Sequence, residues 1–274
     1  MESAVAALSI VLNETEPPMP DTTYTTLTLQ LGEPLAHLRL NRPALLNRFD
    51  EIAHVEFINA LSAVAHDKTV RALILSAEGK VFSAGGDFDE IIAAAASAEI
   101  RSRMTWLAKT LFNAMTDLPV PVIAAVQGAA AGLGTTIMSL CDVVVACRTA
   151  RISDPHVAIG LVAGDGGVIG WTQSVGINRA KRYLLTGEAI TAEQAHQMGL
   201  VTDLTESPAE VVARAVEIGR LIANLPVAGV EGTKRAFAQL THEKANLVLE
   251  LGLAYEMESM TRAEVATTIN RLRR

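Results

Sequence analysis

The chain has 274 residues, of which 50% are hydrophobic and only 4% aromatic, and its formal net charge is −7. This size and apolar content suit one sizeable core, whereas a negative charge spread without long runs argues against a nucleic-acid surface. No apolar stretch reaches the ~18 residues that a membrane span requires. Two cysteines, Cys141 and Cys147, lie near a predicted buried strand and indicate small core residues rather than a disulfide or a metal site.

The first 22 residues differ in character from the rest. An apolar patch, Ala4 to Leu12, follows Glu2 and no basic residue, whereas a signal peptide has a positively charged leader. Several prolines follow before Asp21, which favours a mobile arm over residues 1–22. We therefore expect a cytoplasmic protein.

Residues 23–206 alternate between strand and helix patterns, which is typical of a layered α/β core. Strands separated by helices pair in parallel, and they become continuous apolar runs when both faces of the sheet are covered. The predicted elements are a hairpin of 24–30 with 35–40, a helix at 52–65, strands at 70–75, 121–126 and 142–147, and a helix at 100–115.

Two glycine-rich turns follow predicted strands and carry the main functional signal. The first is Ser83 to Asp87; the second is Gln127 to Gly134, which precedes a helix. Small side chains leave the backbone accessible, and a helix start adds unpaired N–H groups. Fixed N–H dipoles stabilise a developing oxyanion, so two such turns could supply the two donors of one oxyanion site. Each turn taken alone is also typical of a tight bend that only glycine tolerates.

Five motifs stand in the order and spacing of one family: Leu40 to Pro43, Lys80 to Asp87, Ala125 to Gly134, Cys141-Asp142, and Leu184 to Gly187 followed by Ala195 to Leu200. Through them, residues 23–260 resemble the crotonase superfamily of enoyl-CoA hydratases and isomerases. The resemblance implies a spiral of strand-strand-helix units and a C-terminal helical region, 207–274, that builds homotrimers or hexamers. Helical spacing in that region predicts helices at 208–223, 227–240 and 244–272.

The resemblance also implies an acyl-CoA substrate. Gly86 and Leu133 match the positions whose N–H groups form the family's oxyanion hole, so a thioester enolate is the expected intermediate. Lys80 is a candidate partner for a phosphate. The positions that match the turn contacting the adenine are Ala84, Asp87 and Phe88. The coenzyme A thioester is part of the substrate, and neither a separate cofactor nor a metal is expected.

The family's two catalytic glutamates are replaced in this sequence. Thr136 stands at the first position and His156 at the second. A threonine hydroxyl has no pKa that suits base catalysis, whereas imidazole titrates near neutrality. We predict that His156, oriented by Asp165, is the acid–base group. An aspartate just before a helix is also a common N-cap.

Three functions stay open. The first is an enoyl-CoA hydratase or isomerase in which His156 and Asp165 move the proton. A His–Asp pair at this spacing also resembles the 6-oxocamphor hydrolase type, which hydrolyses carbon–carbon bonds of cyclic β-diketones without coenzyme A; its further histidine has no match near Leu133. The third is a non-catalytic acyl-CoA-binding protein. His54 is a possible extra donor, and Trp106 either closes the substrate site or packs in the core.

Overall fold

The computed structural model of the chain describes residues 24–273. The predicted mobile arm, residues 1–22, lies outside the described residues. Within the described range the chain forms two β-sheets and ten α-helices, which confirms the predicted α/β fold. Between residues 24 and 273, no helix is both long enough and apolar enough to cross a bilayer.

The strands are β1 (Leu27–Gln30), β2 (Leu35–Leu40), β3 (Ala72–Ala77), β4 (Val81–Ser83), β5 (Val122–Val126), β6 (Ala129–Ala131), β7 (Val143–Cys147), β8 (Arg151–Ser153), β9 (Ile190–Thr191) and β10 (Asp203–Thr205). The larger sheet has the order β1-β2-β3-β5-β7-β10. β1 and β2 form the predicted antiparallel hairpin, and the remaining pairs of this sheet are parallel.

The helices are α1 (Glu51–His66), α2 (Phe88–Ala96), α3 (Ala98–Asp117), α4 (Leu133–Ser139), α5 (Gly167–Val175), α6 (Ile177–Leu184), α7 (Ala192–Met198), α8 (Val211–Ala223), α9 (Val227–Met260) and α10 (Ala263–Leu272). Short 3₁₀ turns occupy Pro43–Leu45, His156–Ile159 and Pro208–Glu210. Helices cover both faces of the larger sheet: α8 packs on the face of Ile74 and Ile123, while Leu73 and Val122 join the main core on the other face. Burial on both faces explains the continuous apolar strands.

The predicted break in the C-terminal helices between residues 240 and 244 is wrong. α9 runs unbroken from Val227 to Met260, and the chain turns instead at Thr261 and Arg262, where Arg262 is extended (φ −78°, ψ 132°). Residues 241–243 contain no glycine or proline, so nothing local stops a helix there. The unbroken helix matters because it carries Leu253 and Glu256 to the cavity described below.

The smaller sheet positions the functional loops. Its order is β4-β6-β8-β9, and β4, β6 and β8 run parallel. The carboxyl ends of parallel strands meet at one edge of a sheet, which is where ligands bind in open α/β folds. Three loops therefore come together: Ala84 to Asp87 after β4, Gly132 and Leu133 after β6, and Asp154 to His156 after β8.

Candidate active site

The two glycine-rich turns touch each other. A Cβ atom placed on Gly85 would lie 2.7 Å from the carbonyl oxygen of Ala131 and 3.3 Å from the amide nitrogen of Leu133. Gly85 has φ +87°, a conformation that L side chains rarely adopt. Glycine is therefore required here both by the backbone conformation and by the close approach of the second turn.

The N–H groups of Gly86 and Leu133 are both available. On either side of Gly86, the Phe49 N–H donates to the Gly85 carbonyl and the Asp87 N–H donates to the Phe49 carbonyl. Next to Leu133, the N–H groups of Thr135 and Thr136 both donate to the Gly132 carbonyl. Neither Gly86 nor Leu133 donates its own N–H to a backbone carbonyl within residues 24–273. Leu133 begins α4, where an N–H has no partner inside the helix. Both residues line the same cavity.

This cavity has a volume of ≈ 330 Å³ and a mainly apolar lining. Apolar side chains of α3, α9 and α10 enclose it, and His54, Glu90, His156, Asp165 and Glu256 are its titratable groups together with Asp87. A larger groove, of ≈ 790 Å³, lies between the first half of α9 and the ends of α3, α4 and α5. None of the predicted site residues lines that groove, so the smaller cavity is the candidate active site.

His156 lies between two carboxylates. Its Nδ1 is 2.5 Å from Asp154 Oδ1, and its Nε2 is 3.8 Å from Asp165 Oδ2. A Cβ atom on Gly132 would lie 3.8 Å from His156 Nε2, so the imidazole stands beside the turn that supplies the Leu133 N–H. The predicted pair of His156 and Asp165 is brought together, but the partner that hydrogen-bonds and orients the ring is Asp154.

Asp154 and Asp165 are each held in place by neighbours. Thr136 Oγ1 donates to Asp165 Oδ1 at 2.9 Å, and the Gly167 N–H donates to the same oxygen at 3.3 Å. A Cβ atom on Gly167 would lie 2.4 Å from Asp154 Oδ2, so only glycine leaves room for that carboxylate. The N-cap of α5 is Gly166, and Asp165 bonds to the first residue of the helix, so it combines a helix-end contact with a place in the cavity.

Glu256 adds a third carboxyl group to this cluster. It comes from α9, is 6% exposed, and its Oε2 has no hydrogen-bond partner within the described part of the chain. Burial and the Asp165 charge raise the pKa of Glu256 to about 8. Glu256 is therefore protonated at neutral pH and brings no negative charge to the cluster.

The charges of the cluster decide the protonation of His156. Burial alone would lower the pKa of this imidazole, but the charges of Asp154 and Asp165 and the hydrogen bond to Asp154 outweigh it and raise the pKa to about 10. Burial also raises the pKa of Asp165, an effect that the charge of His156 opposes. At neutral pH the ring is therefore an imidazolium, with a proton on both nitrogens.

The predicted coenzyme A contacts are only partly brought together. Ala84, Asp87 and Phe88 line the cavity, but Lys80 is exposed and does not. The Asp87 carboxylate caps α2 and forms an ion pair with Arg48 at 2.6 Å. The N–H groups of Ala84 and Asp87 already donate to backbone carbonyls. Within residues 24–273, no group of His, Cys, Asp and Glu side chains is arranged to hold a metal ion.

Two aromatic predictions have clear outcomes. His54 lines the cavity, with Nδ1 2.9 Å from the Asp50 carbonyl and a pKa that burial lowers, so it is a neutral ring with Nε2 unprotonated. Trp106 is 52% exposed, lies outside the cavity and stacks with the Arg103 guanidinium 4.7 Å from its ring centre. Trp106 therefore neither closes the site nor packs in the core.

Sequence reasoning missed Asp154 and Glu256. Asp154 stands two residues before His156, separated from it only by Pro155. A carboxylate two residues from the predicted acid–base histidine is a local signal for such a partner. Glu256 lies 91 residues after Asp165 in sequence, in a stretch whose pattern of polar and apolar residues is that of an ordinary helix. Its position in the cavity depends on how α9 packs, which that pattern does not predict.

Comparison with known proteins places the chain in a family. The family model for enoyl-CoA hydratase/isomerase matches residues 31–268, and the chain belongs to this family. The chain is 32% identical to 2,3-dehydroadipyl-CoA hydratase of Escherichia coli K12 over 82% of this chain and 84% of that protein. It is 30% identical to 1,2-epoxyphenylacetyl-CoA isomerase of the same strain over 80% and 84% of the two chains. The predicted superfamily and the prediction of an enzyme of this family are confirmed.

Solved structures show the same fold with more than one chemistry. An enoyl-CoA hydratase/isomerase from Mycobacterium paratuberculosis superposes with a TM-score of 0.86 at 31% identity, covering 92% of this chain and 99% of that one. A β-diketone hydrolase from the cyanobacterium Anabaena sp. PCC 7120, bound to (S)-3-oxocyclohexyl acetic acid, superposes with a TM-score of 0.79 at 28% identity, covering 87% and 95%. The family alone therefore does not select the reaction.

Proposed function

We propose that this protein hydrolyses the carbon–carbon bond between the two carbonyl groups of a cyclic 1,3-diketone. The observation that carries the proposal is the arrangement of His156 and Asp165 beside the free amides of Gly86 and Leu133 in one enclosed, apolar cavity. This arrangement provides a place to activate water and a place to hold the oxygen that becomes negative.

The distance between the two side chains suits a shared water. At 3.8 Å, His156 Nε2 and Asp165 Oδ2 are too far apart for a strong direct hydrogen bond. A water oxygen about 2.8 Å from both atoms has ordinary hydrogen-bond distances to each. Such a water would lie next to the Gly132 turn, within reach of a carbonyl carbon whose oxygen accepts from Gly86 and Leu133.

The reaction then balances with water as the only co-reactant. The water oxygen bonds to the carbonyl carbon, its proton passes to the His156–Asp165 pair, and the carbonyl oxygen becomes an alkoxide held by the two amides. The alkoxide re-forms its double bond as the adjacent carbon–carbon bond breaks. The products are a carboxylic acid and the enolate of the second ketone, and the enolate carbon takes one proton back from the pair.

The charges around the turn support a substrate without phosphates. Two cations beside the Ala84–Phe88 turn are already paired, Arg48 with Asp87 at 2.6 Å and Arg273, which lies over the Phe88 ring, with Asp89 at 2.8 Å. Glu90 also lines the cavity, and burial raises the pKa of its carboxyl group. Phosphate recognition favours unpaired Arg or Lys side chains, and the candidate for that task, Lys80, does not line the cavity.

The second candidate is an enoyl-CoA hydratase or isomerase, in which the same groups stabilise a thioester enolate and move its proton. It is favoured by the amide pair of Gly86 and Leu133, by the Ala84–Phe88 turn beside it, and by the names of the curated relatives. A non-catalytic acyl-CoA-binding protein is the third candidate; it would bind acyl-CoA with no turnover.

A substrate screen separates these functions. Purified full-length protein is incubated with bicyclic and monocyclic 1,3-diketones, with crotonyl-CoA and with longer enoyl-CoAs, and products are identified by mass spectrometry. We expect a keto acid from a diketone and a loss of at least about 10²-fold in turnover in His156→Ala. His66→Ala, which removes an exposed imidazole at the end of α1, is the matched control and should retain activity. Turnover of enoyl-CoA but of no diketone would overturn the proposal in favour of the second candidate.

We also propose that the chain self-associates through α9, as a trimer or a hexamer. The support is a stripe of exposed apolar side chains at helical spacing on this helix, whose outer members include Phe237 (64% exposed) and Leu247 (77% exposed). Light scattering on the native protein and on a Leu247→Asp variant tests this. Assembly that Leu247→Asp weakens supports the proposal, and a monomer in both contradicts it.

A further inference from the structure

The imidazole of His156 is bracketed by acidic groups that come from three different elements. Asp154 follows β8, Asp165 precedes α5, and Glu256 lies on α9. Asp154 and Asp165 are the groups whose charges raise the pKa of the ring most, and Glu256 adds its charge only once it ionises above about pH 8. Asp154 is 2% exposed and Asp165 is 7% exposed, so water screens neither carboxylate effectively.

The two ring nitrogens have different partners. Nδ1 is in a short hydrogen bond of 2.5 Å with Asp154, whereas Nε2 faces Asp165 at 3.8 Å, across the space that suits a shared water. A carboxylate can only accept from a ring nitrogen, so Asp154 fixes a proton on Nδ1. Any second proton on the ring is then carried by Nε2, on the side of the cavity.

We propose that His156 acts as the acid of this site and Asp165 as its base, with Asp154 as the positioning residue that holds the Nδ1 proton and so turns Nε2 toward Asp165 and the shared water. This inference rests on the proposed hydrolysis and divides the roles within it. Thr136 supports the role of Asp165 as the base, because its hydroxyl donates to Asp165 Oδ1 and leaves Oδ2 facing the shared water.

The proton movements balance under this assignment. Asp165 takes the proton of the water as its oxygen bonds to the carbonyl carbon. His156 gives its Nε2 proton to the enolate carbon after the carbon–carbon bond has broken. The proton on Asp165 then passes to Nε2, which returns both groups to their starting forms. The Nδ1 proton stays with Asp154 throughout.

The protonation of the site agrees with this order. The pKa of His156 is raised to about 10, so the ring has its acidic proton at neutral pH. Burial raises the pKa of Asp165, which makes its carboxylate a stronger base than an exposed one. Because a raised pKa on a histidine means that the charged form persists as the pH rises, the alkaline fall in activity should come only as the pH passes through about 10, while protonation of Asp165 lowers activity on the acid side.

The variant Asp154→Asn tests the inference because it removes the charge and keeps the shape. We expect the pKa of His156 to fall, the alkaline limb of the pH–rate profile to move to lower pH, and kcat to drop by about 10²-fold with little change in KM. The matched control is Asp117→Asn, which alters a surface pair in which Asp117 Oδ1 lies 2.6 Å from His242 Nε2. The control should change neither the rate nor the pH profile.

A titration followed by ¹⁵N nuclear magnetic resonance on the full-length, substrate-free protein reads the ring directly, with the His156 signals assigned by their loss in His156→Ala. Both nitrogens should stay protonated up to about pH 10 in the native protein and lose a proton at lower pH in Asp154→Asn. A native His156 that titrates near its ordinary pKa of about 6.5, or an unchanged profile in Asp154→Asn, overturns the inference. Absence of diketone turnover together with a ring protonated to about pH 10 overturns the proposed hydrolysis instead.

Discussion

Replacing Gly85 with alanine tests whether the contact between the two turns is what makes the oxyanion site. The new Cβ atom would lie 2.7 Å from the Ala131 carbonyl oxygen, whereas an ordinary contact begins at 3.4 Å, so the turns must separate by about 0.7 Å. The residue also has φ +87°, which costs an L side chain about 1–2 kcal/mol. A displacement approaching 1 Å at reacting groups can cost about 10² in rate. We therefore expect a folded, moderately destabilised protein with about 10²-fold lower kcat.

The control for this experiment is Gly176→Ala. Gly176 has φ +79° and ψ 157°, a conformation that is also restricted to glycine, but a Cβ atom there meets nothing within 4 Å. This variant should lose about 1–3 kcal/mol of stability and no activity. Thermal unfolding of both variants measures the stability lost to the strained backbone conformation. Steady-state kinetics of both variants then shows whether activity depends on the contact between the two turns. A Gly85→Ala protein that is folded and turns over substrate at the native rate would show that the contact between the two turns does not set the oxyanion site.

Three further changes have expected outcomes. The native protein should lose stability between about pH 5 and pH 9, because its folded chain holds the Glu256 proton up to about pH 8 while the unfolded chain releases it at lower pH. Glu256→Gln removes this proton and should lose less stability over the same range. Melting temperatures measured from pH 5 to pH 9 check this, and the same slope in both proteins would contradict it. Lys234→Met breaks the 2.5 Å ion pair with Asp142 and should lower the free energy of unfolding by on the order of 2 kcal/mol. This is less than for a fully buried pair, because the Asp142 side chain is 30% exposed. Urea unfolding measures the change, and an unchanged free energy of unfolding would contradict the expectation. Trp106→Ala should leave kcat and KM unchanged, since the ring lies outside the cavity; a tenfold change in KM would show that it contacts substrate.

The core strands and the two turns could be predicted because local sequence determines them. β5 and β7 are apolar throughout and β3 is apolar except at Ser76, since both faces of these strands are covered, and such runs are visible without any tertiary information. The break predicted between residues 240 and 244 falls on a stretch without glycine or proline. Helix ends follow from capping residues and backbone conformation instead, and here the turn occurs at Arg262.

The candidate site was predictable only where its residues lie in motifs. Gly86, Leu133, His156 and Asp165 belong to loops at one sheet edge, so strand order brings them together. Glu256 comes from a distant helix and has no local signal. The distinction between Asp154 and Asp165 as partners of His156 depends on ring orientation, which the sequence does not contain.

The most direct test of the central claim is hydrolysis of a bicyclic 1,3-diketone in water enriched in ¹⁸O. We expect a keto acid with one heavy oxygen in its new carboxyl group, formed by the native protein and at least about 10²-fold more slowly by His156→Ala. No keto acid from any diketone, with hydration of crotonyl-CoA by the same preparation, would contradict it.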